Sequence, residues 1–472
     1  MFVWRVKSAQ KTLFSNFARI RSMKKTTGFS RLTRDEKINF IAHQHFSQPE
    51  EVRRLLQSYQ HTDPEVQRRH DEFIENSLTN FFMPYGVAPN FLINGTNYTV
   101  PMVIEESSVV AAAAKSASFW FDRGGFQAQV LSTRKLGHVH FLWNGNEADL
   151  RARMPDIDLR LRLASESLGA QMRSRGGGIT QLELVAKPEI ERGYYQLKAN
   201  FETCDAMGAN FINSHLECFA RELRGFIESD HTLPDAHRSL TVVMSILSNY
   251  TPECLVRAEV ACPIDALADG DDYTNEQFVE KFLQALHIAR EEPYRAVTHN
   301  KGIMNGIDSV VLATGNDFRA VEACAHAYAA RDGQYRSLTQ AEAVDGQFRF
   351  WLDIPLALGT VGGLTSLHPL VRASLDMLNN PNAGRLMEIV ACVGLAQNFS
   401  AVKSLVTTGI QKGHMKMHLL NILNQLGATE MEKERTKTYF SDKAISFQAV
   451  GEYLKKLRGQ TAVQVLHHIH AN

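Results

Sequence analysis

The chain contains 472 residues, of which 44% are hydrophobic and 22% are charged, and its 51 basic side chains balance its 51 acidic ones. This profile is typical of a globular protein with two or three domains. It argues against nucleic acid as a partner, because proteins that bind the phosphate backbone usually concentrate positive charge. The six cysteines form no C-x-x-C pair, so we expect neither a zinc site nor a disulfide framework.

The first 34 residues contain nine Lys or Arg residues and no Asp or Glu, a composition typical of a mitochondrial transit peptide. Met23 opens a second natural start, so residues 1–22 are interpreted as a leader or as a mis-assigned start. No later stretch has the 18 or more uninterrupted apolar residues of a membrane span. We therefore expect no contact with a membrane, and the scattered cysteines favour a reducing, cytoplasmic location.

Glu106 follows a predicted apolar strand and precedes an alanine-rich segment that predicts a helix. Ser107 or Ser108 would provide the N-cap of that helix. Two interpretations of Glu106 stay open. It is either a partner of the helix dipole, or a buried acid that donates a proton near neutral pH because burial favours its neutral form.

A shift in composition at residues 122–125 predicts a hinge. Beyond it, β-rich pieces flank an arginine-rich helical region that includes Arg173 and Arg175 and ends in three consecutive glycines. No G-x-G-x-x-G follows a strand, and no G-x-x-x-x-G-K-[ST] occurs, so neither a Rossmann nor a P-loop site is supported. Small residues between Asp205 and Asn213 could admit a phosphate at a helix N-terminus, although an ordinary tight connection explains them more simply.

The stretch from Arg295 to Arg319 contains an isolated lysine, Lys301, and an isolated aspartate, Asp317. Lys301 is set in a polar segment that we interpret as a turn, and an apolar run leads from it to a second polar turn that ends in Asp317. A lysine among small and amide side chains is poorly placed to be a solvated surface cation, so we expect it to be held for its charge. Taken singly, the two residues are a loop lysine and a helix-capping aspartate.

Near the C-terminus, His414 and His418 lie one helical turn apart. Such a pair could bind zinc in a metal hydrolase, but the Glu of the H-E-x-x-H protease motif is missing. A polar helix face is the simpler explanation, and we expect no metal.

Together these segments resemble the class II, or bacterial-type, 3-hydroxy-3-methylglutaryl-coenzyme A (HMG-CoA) reductases. The similarity extends from about Gly28 to Leu426 and rests on five separated motifs in the family's order. These motifs are Glu105-Glu106 with Ser108, Asp205-Ala206-Met207-Gly208 with Asn210, the stretch from Arg295 to Arg319, Gly359 to Pro369, and Gly409 to His418. One departure is Ser107, because the family usually has proline after the catalytic glutamate.

The resemblance implies an α+β fold in three parts. A large helical domain with a central sheet would comprise residues 23–125 and 246–405. A small inserted α+β domain at residues 126–245 would bind the dinucleotide without a Rossmann fold, and residues 406–472 would form a C-terminal helical flap. The family builds its active site between two subunits, so a homodimer or a dimer-based oligomer is also implied.

The implied activity is the four-electron reduction of the HMG-CoA thioester to mevalonate and free CoA with two nicotinamide cofactors, in the mevalonate pathway of isoprenoid biosynthesis. Lys301 would stabilise an oxyanion, Glu106 would protonate the aldehyde oxygen, and His414 would protonate the departing thiolate. Asp317 would join Lys301 and Glu106 in one hydrogen-bonded network. Substrate binding would fall to Ser108, Arg295 and Asn305, and cofactor binding to Asp205, Met207, Gly208 and Asn210.

NADPH is expected as the cofactor, and NADH stays possible. In NAD-dependent relatives an acidic residue shortly before the triple glycine bonds the ribose hydroxyls. The corresponding position here is Gly169, and the nearby Arg173 and Arg175 could pair with the extra phosphate of NADPH. Alternatively, both arginines merely solvate a helix end.

Two further functions stay open at this stage. The same enzyme could run oxidatively in the degradation of mevalonate. A non-catalytic sensor of acyl-CoA or dinucleotides would keep the Asp205 motif, but it would have no reason to retain the four expected catalytic residues together.

Overall fold

Capping residues define the helices that open the chain. The computed structural model describes residues 25–267, 274–407, 419–441, 443 and 445–469. At the start of the first helix, Thr33 accepts a hydrogen bond from the backbone N–H of Glu36. Asp63 does the same for the first turn of a later helix, which begins with a proline whose missing N–H costs nothing there. The described chain divides between Phe82 and Met83 into two compact units, and these helices belong to the first unit.

The structure has an α+β fold with sixteen described α-helices and ten strands. The strands are β1 (Tyr85–Ile93), β2 (Thr96–Val103), β3 (Gln127–Val130), β4 (Lys135–Trp143), β5 (Gly178–Ala186), β6 (Tyr194–Glu202), β7 (Leu240–Leu247), β8 (Leu255–Pro263), β9 (Thr339–Val344) and β10 (Gln347–Pro355). The helices are α1 (Arg34–His45), α2 (Pro49–Ser58), α3 (Pro64–Asp71), α4 (Val109–Phe121), α5 (Glu147–Ala164), α6 (Glu166–Arg173), α7 (Ala209–Ser229), α8 (Asn275–Glu291), α9 (Pro293–Ala313), α10 (Phe318–Ala329), α11 (Leu364–Leu367), α12 (Pro369–Met377), α13 (Ala383–Val406), α14 (residues 419–425), α15 (Glu430–Tyr439) and α16 (Phe447–Ile469).

The second unit contains three antiparallel sheets. Strands β1 and β2 form a hairpin closed by Asn94 and Gly95, which both have positive φ as the tight turn requires. The other two sheets have four strands each, in the orders β3-β8-β10-β9 and β5-β6-β4-β7. The strands within each sheet pair antiparallel, and the alternation of buried and exposed positions assigns one face of a strand to a core.

Three separate clusters of buried apolar side chains occur in this unit. One joins the hairpin, the β3-β8-β10-β9 sheet and helices α4, α8, α9, α10 and α13, with Trp120, Phe282 and Phe399 at its centre. A second lies between the β5-β6-β4-β7 sheet and helices α5 and α7, around Phe141 and Phe219. The third is built from α14, α15 and α16.

Helix α13 is the central helix of the first cluster. By length and composition it is the one helix within the described ranges that could cross a membrane, and 67% of its apolar window is buried inside the protein, as in a core helix. It packs against α9, where Gly306 of α9 faces the backbone of Val393 and Gly394 of α13 faces Ile307. Because glycine has no Cβ, the two helices approach closely at this point.

The structure corrects one boundary and one element expected from the sequence. Strand β3, which a boundary at residue 126 assigns to the insertion, pairs with β8 in the sheet of the large core. The glycines near residue 125 turn the chain, but the chain stays in the large core through β3. It joins the second core only after this strand. The predicted polar turn at Lys301 is also wrong, since this segment is the interior of α9.

The two glycines of α9 make a matched test of its packing. A Cβ added at Gly306 would lie 2.8 Å from the carbonyl oxygen of Val393, whereas one added at Gly302 would meet nothing within 4 Å. We expect Gly306→Ala to lower the free energy of unfolding by about 1–3 kcal/mol through overpacking. Gly302→Ala should raise it by about 0.5–1 kcal/mol, because alanine favours the helix. Denaturant titration measures both, and equal effects would contradict the close helix contact.

Candidate functional site

Lys301 and Glu106 form an ion pair, although 195 positions separate them in the chain. The Nζ atom of Lys301 donates to Oε2 of Glu106 at 2.5 Å. Lys301 lies on α9, and Glu106 lies in the short connection between β2 and α4, as the sequence predicts for a strand-to-helix junction. The pair combines a fixed cation with an adjacent carboxyl group, which is what a reaction with a developing oxyanion needs.

The pair is open to solvent, contrary to the expected burial of Glu106. The Lys301 side chain is 60% exposed and that of Glu106 is 40% exposed. Within the part of the chain that the structure describes, both groups are therefore accessible to water. Screening by water weakens such a pair, so its strength depends on what covers it.

The residues that precede Lys301 are buried and fixed by hydrogen bonds. His299 Nε2 lies 2.5 Å from Thr339 Oγ1, which donates to Asn398 of α13. Asn300 accepts from the backbone N–H of Leu338 and donates to a backbone carbonyl. These tertiary bonds satisfy polar groups that would otherwise favour a turn, so the helix continues through them and holds the backbone of Lys301 rigidly.

Ser108 adopts an unusual backbone conformation beside the ion pair. It occupies the N-cap position of α4 with φ of 77°, yet its hydroxyl makes no capping hydrogen bond. A non-glycine residue in the left-handed region is strained, and such strain is common at binding sites. The hydroxyl of Ser108 is therefore available to a ligand and does not cap the helix in the way the sequence predicts.

Two other predicted substrate-binding residues also lie on α9. Arg295 is half-buried in its first turn, and burial lowers the pKa of its guanidinium group. Within the described part of the chain, the Arg295 guanidinium makes no hydrogen bond or ion pair. Asn305 lies one turn after Lys301, so the two side chains share a helix face. A half-buried guanidinium without a partner is prepared to bind a carboxylate.

The structure does not bring Asp317 to this pair. Its carboxylate caps α10 by accepting from the backbone N–H groups of Arg319 and Ala320, and it also pairs with the Arg319 side chain. The chain turns back after α9 so that Asn316 N donates to Val311 O. Val311 lies ten helical residues after Lys301, which is a rise of about 15 Å, so this turn lies far from the ion pair along α9. The expected network of three groups is therefore absent from the described residues of one chain.

The predicted thiolate donor, His414, lies outside the described residues, as does His418. Among the residues that are described, no group of three or more His, Cys, Asp or Glu side chains is arranged to hold a metal ion.

The Asp205 motif forms the connection between β6 and α7. Gly208 is the N-cap of α7 with φ of 93°, and a Cβ there would lie 2.5 Å from the side chain of Thr203. Glycine is thus required both by conformation and by space. The first N–H groups of this 21-residue helix have no acceptor within the helix, so they are available to an anion. Met207 is partly exposed and Asn210 exposed at this helix start.

Asp205 fixes this motif to the large core. Its carboxylate accepts from the backbone N–H of Ala383 at the start of α13, and its carbonyl oxygen accepts from Thr360 N at 2.8 Å. A side chain on Gly359 would overlap the backbone nitrogen of Met207, which explains a glycine there. The Asp205 carboxylate is therefore a positioning group in this structure.

The triple glycine places the two predicted arginines beside the same motif. Arg173 ends α6 and Arg175 follows it, and both are exposed. The carbonyl oxygen of Arg175 accepts from Cys204 Sγ at 3.3 Å, one residue before Asp205. A Cβ on Gly169 would lie 2.6 Å from Nη1 of Arg173, so an acidic side chain at this position would meet that guanidinium.

One residue of this region was not identified from the sequence. Lys135, the first residue of β4, is buried, and its Nζ donates to Thr203 Oγ1 and to the carbonyl oxygen of Ala206. Lys135 belongs to no motif. The signal that was available is a lysine at an inward position of an alternating strand.

His299 should make stability depend on pH. Burial and the charge of Arg295 lower its pKa to about 3, from 6.5. Below about pH 6.5 the unfolded chain therefore binds a proton that the folded chain does not bind. The free energy of unfolding falls as the pH is lowered from about 6.5 to about 3. The slope contributed by one such group is about 1.4 kcal/mol per pH unit at most.

We expect His299→Gln to remove this contribution to the slope, while the exposed His287 serves as the control in His287→Gln. The free energy of unfolding measured across this pH range for the three proteins tests the assignment. A His299→Gln slope equal to that of the parent would contradict it.

Known proteins resemble this chain over most of its length. Residues 33–419 match the family model described as hydroxymethylglutaryl-coenzyme A reductase. The chain is 36% identical to 3-hydroxy-3-methylglutaryl-coenzyme A reductase of Archaeoglobus fulgidus over 91% of this chain and 94% of that protein. It is 33% identical to the probable reductase of Borreliella burgdorferi over 82% of this chain and 88% of that protein.

Solved structures give the same result. The reductase of Streptococcus pneumoniae is 34% identical, with a TM-score of 0.65 over 91% of this chain and 99% of that one. A structure described as the class II enzyme of the same organism, bound to NADPH in open conformations, gives a TM-score of 0.66 over 81% of this chain and 99% of that chain. The chain belongs to the hydroxymethylglutaryl-coenzyme A reductase family.

Proposed function

We propose that this chain reduces the thioester of HMG-CoA to mevalonate and free CoA in the biosynthetic direction, with NADPH as the reductant. The observation that carries the proposal is the Lys301–Glu106 ion pair, which places a cation and an acid at one exposed junction. Bound NADPH would supply a hydride in each of the two reductions. The residues of the chain supply the charges, the protons and the orientation.

Lys301 is suited to stabilise the oxygen of the reacting carbonyl. As the thioester carbon becomes tetrahedral, negative charge develops on this oxygen, and a cation fixed within hydrogen-bonding distance lowers the barrier. The rigid backbone at His299 and Asn300 means that little reorganisation is needed. Glu106, hydrogen-bonded to Lys301, is placed to give a proton to the aldehyde oxygen in the second reduction.

Substrate binding follows from the unpaired groups around this pair. The guanidinium of Arg295 would bind the free carboxylate of the hydroxymethylglutaryl group in a bidentate manner. The amide of Asn305 and the hydroxyl of Ser108 would bind the remaining oxygens. His414 keeps the role that the resemblance implies, which is to protonate the thiolate of departing CoA.

The Asp205 motif is suited to bind the cofactor. The lack of a Cβ at Gly208 and the free N–H groups at the start of α7 fit a diphosphate that approaches the backbone. Met207 and Asn210 would contact the dinucleotide from the same helix start. Arg173 and Arg175 would bind the phosphate on the ribose that distinguishes NADPH from NADH.

A homodimer would complete the site. Within one chain, the turn that carries Asp317 lies about 15 Å from Lys301 along the axis of α9. If Asp317 belongs to the catalytic network, it must therefore come from a second copy of the chain. A second copy and bound substrate would also cover the exposed side of Glu106, which would favour its neutral, proton-donating form.

The three apolar cores support a three-part architecture, and the scattered cysteines fit a cytoplasmic protein. The first core corresponds to a large substrate domain, the second to an inserted cofactor domain and the third to a C-terminal flap. The pairing of β3 with β8 moves the start of the insertion past residue 130. The proposed flap, residues 406–472, includes residues 408–418 with His414, which lie outside the described residues.

Removal of the cation tests the mechanism. We expect Lys301→Met to lower kcat by about two to three orders of magnitude in both directions, because the loss of one donor to an oxyanion costs roughly 3 kcal/mol. Lys115→Met, which removes an exposed lysine from α4, should leave kcat unchanged. Nicotinamide absorbance measures the rate at saturating substrate, and thermal unfolding checks the fold. A folded Lys301→Met protein with normal turnover would refute the proposal.

Reversal of charge tests the choice of cofactor. Charge-assisted hydrogen bonds contribute roughly 1.5–3 kcal/mol, so Arg173→Glu should shift the ratio of kcat/KM for NADPH to that for NADH at least about tenfold towards NADH. Gly169→Asp should act in the same direction, because its carboxylate would meet Arg173. Ala170→Asp adds the same charge at the next, exposed position and is the control. A ratio that stays unchanged in Arg173→Glu would contradict this role.

A further inference from the structure

Lys135 is a buried lysine without a carboxylate partner in hydrogen-bonding contact. It is 4% exposed, and its Nζ donates to Thr203 Oγ1 at 2.6 Å and to Ala206 O at 3.1 Å. Within the described residues no third acceptor bonds to this ammonium group. Thr203 Oγ1 also donates to Ala206 O, so the three groups form a closed triangle below the motif.

Acidic groups lie near Lys135, but their hydrogen bonds go elsewhere. Glu202 accepts from Cys204 N and from the hydroxyl of Thr133, and Asp205 accepts from the start of α13. Their charges offset only part of the cost of burial, which lowers the pKa of Lys135. A buried cation is costly unless its charge is used, and a neutral side chain of similar length would fill the same space.

The position of Lys135 connects it to the start of α7. The two acceptors of its ammonium group, Thr203 and Ala206, flank the turn that leads to Gly208, and Gly208 packs on Thr203. A cavity of about 30 Å³ lies beside Lys135, Met207 and Ala209, which is room for about one water molecule. The ammonium group is therefore bonded to the turn that leads into the proposed diphosphate site.

We propose that Lys135 is a positioning residue of the cofactor site, which holds the 203–208 turn in place and adds a buried positive charge behind the N–H groups that receive the cofactor phosphates. This inference rests on the proposed binding of NADPH at the Asp205 motif. The helix start supplies partial charges, and Lys135 supplies a full charge in a region of low dielectric, where its field is weakly screened.

The charge of Lys135 should be visible in the pH dependence of binding. Its ammonium group loses its proton below the usual pH for lysine because burial lowers its pKa. The titratable groups that face it are Glu202, Cys204, Asp205 and Cys254, with Cys324 across the cavity. Burial raises the pKa of the Cys204 thiol and raises that of the Cys254 thiol to about 11.

The test is the dissociation constant of NADPH, measured by its fluorescence on binding, between pH 7 and pH 10. Lys135→Met should raise this constant at least tenfold at pH 7 and leave the dissociation constant of HMG-CoA unchanged. In the parent the constant for NADPH should rise towards pH 10, and in Lys135→Met this rise should disappear. A merely structural lysine would not produce this alkaline dependence.

Lys198→Met is the matched control, because it removes a half-buried lysine from β6 of the same sheet and pairs only weakly with Glu183. Its NADPH affinity and pH profile should equal those of the parent. Cys204→Ser should keep the alkaline rise, which excludes the neighbouring thiol as its source.

An NADPH affinity of Lys135→Met equal to that of the parent would overturn the inference, and so would an alkaline rise that survives in this variant. If Lys135→Met does not fold, Thr203→Val removes one acceptor of Lys135 with little change in shape, and its NADPH constant should rise while that of HMG-CoA does not. A flat profile in the parent would also overturn it. A parent that fails to bind NADPH at all would instead refute the proposed function.

Discussion

The close contact of α9 with α13 is the constraint on which the site depends. Gly306 and Gly394 allow the two helices to approach closely, and this contact brings Asn398 of α13 within reach of the His299 carbonyl oxygen and the Thr339 side chain. These hydrogen bonds, with those of Asn300, hold the polar residues before Lys301 inside the protein. The result is a lysine whose backbone is fixed by packing while its ammonium group faces solvent, which is the arrangement that favours electrostatic stabilisation of a transition state.

In the single chain the backbone of the site is fixed by hydrogen bonds, but the ion pair is exposed to solvent. The exposed Lys301–Glu106 pair has only the modest strength of a surface ion pair, because water screens it. Covering the pair would strengthen the attraction between the two groups and their action on a bound carbonyl group, because the local dielectric falls. This gives a physical reason for a site completed by substrate and a second copy of the chain.

Local features of this fold could be predicted from the sequence, whereas features that depend on distant contacts could not. Strand and helix signals placed Glu106 at its junction and Gly208 at the start of α7, because both follow from neighbouring residues. The polar segment at Lys301 was interpreted as a turn, since glycine and amide residues are weak helix formers. Its helical conformation depends on partners at Leu338 and Asn398, which no local pattern indicates. Lys135 escaped prediction for the same reason, because its acceptors lie about 70 residues away.

The two functional regions are joined by contacts between backbones and short side chains. Asn316, at the end of α9, accepts from the N–H of Gly359, and the next residue, Thr360, donates to the carbonyl oxygen of Asp205. The Asp205 carboxylate in turn caps α13, the helix that fixes Lys301. Long flexible side chains play no part in this path, so the start of α7 is held at a defined distance from the ion pair. Hydride transfer needs the reacting atoms close and aligned, and a short rigid connection between the two sites meets that requirement.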